Sequence, residues 1–156
     1  MQDRGSLVIL WIVIAASITA CQWISEATAP NMLGGAHALK TAGVIVMLVA
    51  LAILWTAIFT LGKSFSSNVA IRDSQQITRT GLYRFVRHPS YLGLLLVLLA
   101  VGLHSRNWIS FAVVLAPTIA ALLYRIHVEE AALMRAFGDD YSAYAKATKR
   151  LIPGVY

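Results

Sequence analysis

The sequence predicts an all-α integral membrane protein with about four transmembrane helices, and three observations carry that prediction. Of its 156 residues 58% are hydrophobic and only 13% charged, and the mean hydropathy is +0.69, far more apolar than a domain with a wet surface needs. The apolar residues gather into runs close to the roughly 18–25 residues that a bilayer-crossing helix requires. Lysine and arginine concentrate in the segments that share one end of those runs. No internal repeat or low-complexity linker interrupts the pattern, so one domain is the economical assignment.

The first two spans run from about Leu7 to Trp23 and from about Thr41 to Leu61, both free of charge. Between them, "SEATAPNMLGGAH" holds Pro30 and the Gly34-Gly35 pair and reads as a short external loop. Tyr91–Leu103 and Trp108–Ile126 form two more apolar stretches separated by "HSRN". The third is short for a full crossing, so the two read as a tight helical hairpin, with Pro89 opening its first arm. Pro117 lies inside the fourth run, where it should kink the helix and free a carbonyl. Beyond Ile126 the chain turns charged without a breaker until Gly138, and Leu122, Ile126, Leu133 and Phe137 keep a helical spacing. The fourth helix is therefore expected to leave the bilayer and stop at Gly138, and Asp139 or Asp140 to cap a short helix bearing Tyr141 and Tyr144.

Between the second and third spans, "GKSFSSNVAIRDSQQITRTGLYRFVRHPS" is longer than a hairpin loop requires. Alternation around Val69–Ile71 and Gln76–Thr78, with a turn at Asp73-Ser74, predicts an ordered extended segment.

Charge sets the expected orientation. With four spans, the N-terminus, the 62–90 segment and the C-terminal tail lie on one side and carry Arg4, Lys63, Arg72, Arg79, Arg84, Arg87, Arg125, Arg135, Lys146, Lys149 and Arg150. Only Lys40 and Arg106 remain for the other side, so the basic side is expected to be cytoplasmic. This accounts for the net charge of +6 without nucleic acid as a partner. Cys21 is alone and cannot form an internal disulfide. "ITAC" at Ile18–Cys21 loosely resembles a lipoprotein cleavage box, but Asp3 beside Arg4 is wrong for the preceding segment, and a retained first helix is the reading adopted.

Two groups of residues carry candidate chemistry. In "GLYRFVRHPSYLG" each arginine and tyrosine taken singly reads as an interfacial anchor. Taken together, His88, Pro89, Ser90 and Tyr91 place backbone N–H groups at a helix N-terminus, a setting suited to a carboxylate. Arg125 and Glu129 stand four apart on one helix face, with the arginine first, the weaker order for a plain surface pair. A charged pair at the end of an apolar helix is better explained by a polar ligand, while Glu130, about 100° around the helix, need not point the same way. His88 and His127 with Glu129 and Glu130 lack metal-ligand spacing, and neither a nucleophilic triad nor a phosphate-cradling glycine loop is visible. No metal is expected. The tyrosines of "DDYSAY" read as packing residues.

"TRTGLYRFVRHPSYLG", followed some forty residues on by "RIHVEEAALMRAFGDDYSAY", resembles the signature of the isoprenylcysteine carboxyl methyltransferase family, within the wider group of phospholipid methyltransferase-like membrane enzymes. The likeness covers roughly residues 68–153, and the first two helices match only in being spans. It implies a methyltransferase using S-adenosyl-L-methionine, with S-adenosyl-L-homocysteine as product, the cofactor being held on the cytosolic side under the C-terminal segment. Position by position, it puts Gln75, Gln76, Ile77, Thr78, Tyr83, His88, Pro89, Ser90, Tyr91 and Glu129 on cofactor contacts and Arg125 on acceptor positioning, with Asn68 a looser match. The implied layout is two N-terminal membrane helices at 1–61, a cytosolic cofactor segment at 62–90, a helical hairpin at 91–126 and cytosolic C-terminal helices at 127–156. Pro117 and the short third helix are candidates for shaping a lateral opening.

The residues suit such a ligand. Glutamate and N–H donors complement the cofactor's ammonium and carboxylate, and a carboxylate acceptor is ionised near neutral pH and needs no base. The acceptor is expected to be lipophilic, an isoprenylcysteine-type carboxylate that reaches the site from the membrane lipids. A small thiol, an amine or a phospholipid headgroup is the alternative acceptor, and a nonenzymatic membrane binding or scaffold module the alternative class. Ala16 and Ala20, or Ala38 and Ala42, are weak helix-contact signals that leave the oligomeric state open.

Overall fold

Three long apolar helices and a shorter one build the computed structural model, which describes residues 5–31, 35–62 and 77–154. In chain order the elements are α1 (Gly5–Ala27), α2 (Ala36–Leu61), a 3-10 turn (Gly81–Arg84), α3 (Pro89–Ser105), α4 (Trp108–Phe137) and α5 (Asp139–Ala147). α1, α2 and α4 have 23, 26 and 30 residues, or about 35 Å and more at ~1.5 Å per residue. Each is long and apolar enough to cross a bilayer. α3, with 17 residues, reaches only about 26 Å against a hydrocarbon thickness of ~30 Å. Among the described residues there is no named strand.

The helices pair as α2 on α3, α3 on α4 and α1 on α4. α1 buries a narrow stripe, Ser6, Leu10, Ile14, Ser17 and Cys21, whose spacings of three and four keep it on one face. Its other side leaves Val8, Ile9, Trp11 and Ile12 exposed, as lipid-facing residues should be. α2 turns Gly43, Ala50 and Ala57 inward at a seven-residue repeat. These small residues let the backbones close, because a Cβ on Gly93 of α3 would stand 3.1 Å from the Leu54 nitrogen and 3.2 Å from the Ala50 carbonyl. The core joins Leu10 and Ile14 of α1 to Leu98 of α3 and to Val114, Leu122 and Ile126 of α4.

The hairpin between α3 and α4 turns at Arg106, which takes a left-handed φ of 53°. Asn107, fully buried, caps α4 by accepting from the N–H groups of Ile109 (2.9 Å) and Ser110 (3.2 Å). Its amide also donates to the Thr28 hydroxyl at 2.7 Å and the Ala29 carbonyl at 3.3 Å, tying the end of α1 to the start of α4. A cap of this kind contributes about 0.5–2 kcal/mol. Near this end, α1, α2 and α3 line an open pocket of about 420 Å³ that includes Cys21, Met47, Ala100 and His104.

At the other end α4 runs through Pro117 as one helix and stops where Gly138, at φ 50°, donates to the Met134 carbonyl. α5 follows directly, with Gly138 at its cap position and no side-chain cap bond. The expected Asp139 or Asp140 cap is therefore not formed, and both aspartates lie in the first turn. The extended segment expected around Val69–Ile71, with its Asp73-Ser74 turn, and the alternation at Gln76 lie outside the described residues.

Candidate functional site

The local chain at the start of α3 is organised by proline. Pro89 takes the first helical position, and its ring and missing N–H force the chain before it to be extended or turned. That turned stretch pairs with the C-terminal tail, a partner that local sequence does not reveal. Val86 and Lys149 form a parallel bridge. The Arg87 N–H donates to the Lys149 carbonyl (2.7 Å), the His88 N–H to Arg150 (3.0 Å), and the Lys149 N–H to Phe85 (3.2 Å). The open donors expected across His88–Tyr91 are therefore largely taken by the chain itself. His88 donates to the tail, Pro89 has no N–H, and Tyr91 donates to the His88 carbonyl at 3.1 Å.

The side chains divide between two adjacent carboxylates. Glu129 and Glu130 differ by about 100° around α4, and they serve different partners. Glu129 accepts from the Tyr91 hydroxyl at 2.5 Å and lies 3.8 Å from the Arg125 Nε. Arg125, only 1% exposed, donates from Nε to the Tyr91 oxygen at 3.3 Å and from Nη1 to the Ser6 hydroxyl at 2.7 Å. Helices α1, α3 and α4 thus meet in one buried polar chain. Glu129, with 26% of its side chain exposed, is the member that reaches toward solvent.

Glu130 instead accepts from the Arg87 Nε (2.7 Å) and the Arg150 Nε (2.9 Å), with the His88 Nε2 at 3.3 Å. Arg87 also donates to the carbonyls of Ala145 (2.7 Å) and Thr148 (2.6 Å). One carboxylate and one arginine so clamp the tail to α4 and to the start of α3. Charge-assisted bonds of this kind are the strong ones, above all where burial limits screening. The His88 ring stacks on Tyr91 with centroids 5.4 Å apart, which couples this clamp to the Glu129 pair.

Tyrosines close the rim. Tyr83, in the 3-10 turn, is buried and accepts the Tyr144 hydroxyl proton at its carbonyl oxygen at 2.7 Å. Its own buried hydroxyl completes no hydrogen bond among the described residues. Burial pushes that phenol well above its ordinary pKa, against the nearby Ser90 hydroxyl and with the help of the Glu129 charge. Tyr141 is likewise buried with an unpaired hydroxyl, raised by burial and then by Glu130. Tyr144 is pushed up to about 12, chiefly by burial. Arg79 pairs with Asp140 and lies over the Tyr144 ring, fastening α5 to the segment before α3.

The structure therefore brings Tyr83, His88, Pro89, Ser90, Tyr91, Arg125 and Glu129 to one end of the bundle. Ile77 and Thr78 are half-buried on the approach to the 3-10 turn, while Gln75, Gln76 and Asn68 lie outside the described residues. Sequence reasoning missed Arg87, Glu130, Arg150 and Ser6 as members of the cluster. The available signal was the repeated pairing of charges, Arg87 beside His88 and Glu130 beside Glu129. No local rule says that they meet. Among the described residues no group of histidine, cysteine and carboxylate side chains could hold a metal ion.

A sequence model of the isoprenylcysteine carboxyl methyltransferase family matches residues 43–135, from the first half of α2 to the last turn of α4. The chain belongs to this family. Members similar to it include a protein-S-isoprenylcysteine O-methyltransferase of Schizosaccharomyces pombe, 35% identical over 103 residues that cover 63% of this chain and 42% of that protein. A methanethiol S-methyltransferase 1 of Bradyrhizobium diazoefficiens is 38% identical over 72 residues, 46% of this chain and 24% of its own length. The chain thus spans less than half the length of either relative. The solved structure of the eukaryotic intramembrane Ras methyltransferase of the family superposes with a TM-score of 0.67 at 22% identity, covering 99% of this chain and 55% of that one. The isoprenylcysteine carboxyl methyltransferase fold thus extends over α1 and α5, beyond the residues that the sequence model matches.

Proposed function

We propose that the chain is an integral membrane methyltransferase that uses S-adenosyl-L-methionine and methylates a lipophilic acceptor, with an isoprenylcysteine-type carboxylate as the acceptor that the site suits best. The observation that carries this reading is the buried Arg125–Tyr91–Glu129 chain at the end of an apolar bundle. It sets a positive and a negative group side by side where a polar molecule and a membrane-borne one would meet.

The residues present fit the cofactor. Glu129 offers a part-exposed carboxylate to an ammonium, and the unpaired Tyr83 hydroxyl is a buried hydrogen-bonding group that a ligand can satisfy. His88 and Tyr91 present stacked rings beside them. When bound, the cofactor supplies an electrophilic methyl group on a sulfonium.

The protein's part is then alignment rather than proton transfer. An acceptor carboxylate is already ionised near pH 7 and can attack without a base. The buried charge of Arg125 favours that carboxylate at the junction of α1 and α4 and orients it. The tail clamp made by Arg87, Glu130 and Arg150 limits water at the buried end of the polar chain, around Arg125 and Tyr91. The basic segments at this end support a cytoplasmic orientation, with 62–90 as the cofactor segment, α3 and α4 as the hairpin and the C-terminal helices as its cover.

The methanethiol S-methyltransferase relative favours a second reading, a small thiol acceptor. A thiol must lose its proton, and the Tyr91–Glu129 pair would be the acid–base couple at hand. A labelled-methyl transfer assay over prenylated cysteines, lipids, amines and small thiols tests both. A carboxylate acceptor should give a rate nearly flat across neutral pH, whereas a thiol should give one that rises with pH. Absence of cofactor binding by calorimetry in nanodiscs would instead favour a nonenzymatic membrane module.

A further inference from the structure

Ser6 lies in the first turn of an apolar helix, where a buried hydroxyl is unfavourable unless it is bonded. It is 3% exposed and faces inward, on the same stripe as Leu10 and Ile14. Its oxygen accepts from the Arg125 Nη1 at 2.7 Å, and Arg125 is itself 1% exposed. The guanidinium is planar and rigid. Bonds from two of its nitrogens, Nη1 to Ser6 and Nε to Tyr91, fix its plane between α1 on one side and α3 on the other. Around Ser6, the outer face of α1 exposes Val8, Ile9, Trp11 and Ile12, so the α1–α4 junction borders the surface from which a lipophilic acceptor arrives.

We infer that Ser6 is a positioning residue that sets the Arg125 guanidinium for the acceptor carboxylate, so that α1, which precedes the family-matched residues, completes the acceptor site. The inference rests on the acceptor role given to Arg125 above. Tyr91 and Glu129 join Arg125 to the cofactor side of the cluster, whereas Ser6 holds it from the side of α1 that faces lipid. Loss of the Ser6 oxygen removes the bond to Nη1 and with it one restraint on the guanidinium's direction, while the Arg125 charge is kept 3.8 Å from Glu129.

The test compares wild type, Ser6→Ala, Ser6→Thr, Arg125→Lys and the Ser6→Ala/Arg125→Lys double variant, each as the full chain in nanodiscs. It reads acceptor KM and kcat with a prenylated cysteine, cofactor Kd by calorimetry, and Tm. Ser6→Ala should raise acceptor KM by about tenfold or more, the size of a lost hydrogen bond to a charged group, with cofactor Kd unchanged and Tm lowered by the same lost bond. Ser6→Thr, which keeps the hydroxyl, should recover most of that loss, and Ser6→Ala should add little on the Arg125→Lys background. An unchanged acceptor KM in Ser6→Ala, or a loss of cofactor affinity equal to the loss of acceptor use, would overturn the positioning role. A wild type that binds cofactor but methylates no carboxylate acceptor would overturn the acceptor reading itself, and the Ser6 inference with it.

Discussion

Replacing Glu130 by glutamine leaves Arg87, Arg150 and His88 gathered around a neutral amide. In the native chain one carboxylate, 13% exposed, takes charge-assisted bonds from Arg87 at 2.7 Å and Arg150 at 2.9 Å. Breaking a buried pair by removing one partner costs about 3–5 kcal/mol, and the Arg87 side chain is only 10% exposed. Arg150, 37% exposed, is screened by solvent and adds at most about 1 kcal/mol. The total, about 3–6 kcal/mol, falls on the zipped segment rather than on the helix bundle, because Arg87 also carries the Ala145 and Thr148 carbonyls. A loss of ~3 kcal/mol corresponds to roughly a hundredfold more frequent opening. Hydrogen–deuterium exchange on the full chain in nanodiscs reads this directly, at the bonded amides of Arg87, His88 and Lys149. Those three should exchange much faster in Glu130→Gln, with α2 and the Leu98–Val114 core unchanged. Glu129→Gln should leave them protected. Protection within a few-fold of wild type in Glu130→Gln would refute the clamp.

Other outcomes follow from the same contacts. Glu129→Ala should weaken cofactor binding, and Arg125→Ala should mainly raise acceptor KM; equal and small effects would reduce the pair to an ordinary ion pair. Gly93→Ala places a Cβ 3.1 Å from the Leu54 backbone nitrogen, so α2 must shift, and a loss of about 1–3 kcal/mol should appear as a lower Tm in detergent. Tyr144 is neutral in the fold with its pKa raised to about 12, so its contribution is present below the ordinary phenol value of about 10 and is lost as pH rises through about 12. Tyr83 and Tyr141 are raised as well, so phenolate absorbance should show one fewer late-titrating tyrosine in Tyr144→Phe than in wild type.

Much of the fold is legible because it depends on neighbours in sequence. Apolar runs mark α1, α2 and α4, and Pro89 and Gly138 mark a helix start and a helix stop by their own backbone chemistry. The shortness of α3 is likewise visible in the run from Tyr91 to Leu103. Even the sharing of one face by Arg125 and Glu129 follows from helical geometry.

The site is only half legible, because its other half depends on contacts between distant segments. Arg87 and Glu130 stand 43 residues apart, and Ser6 and Arg125 stand 119 apart. Singly, Arg87 reads as an anchor and Glu130 as a bystander, and Ser6, just ahead of the first apolar run, carries no signal of its own. The N–H groups at the start of α3 look open until the tail pairs with them. Tyr141 and Tyr144, read as packing residues, do pack, yet Tyr144 also bonds the Tyr83 carbonyl. The sequence by itself determined that the chain would span a membrane in helices, the start of α3 at Pro89 and the stop of α4 at Gly138, and which motif carries the polar chemistry, since breakers and apolar run length act locally. By contrast, α1 runs on to Ala27 and α2 starts at Ala36, beyond the apolar runs that mark them. Only the tertiary structure decided that Glu129 and Glu130 have separate partners, that the tail locks onto the start of α3, and that the first helix holds Arg125. Each of these depends on which side chains a packed bundle forces into low-dielectric contact.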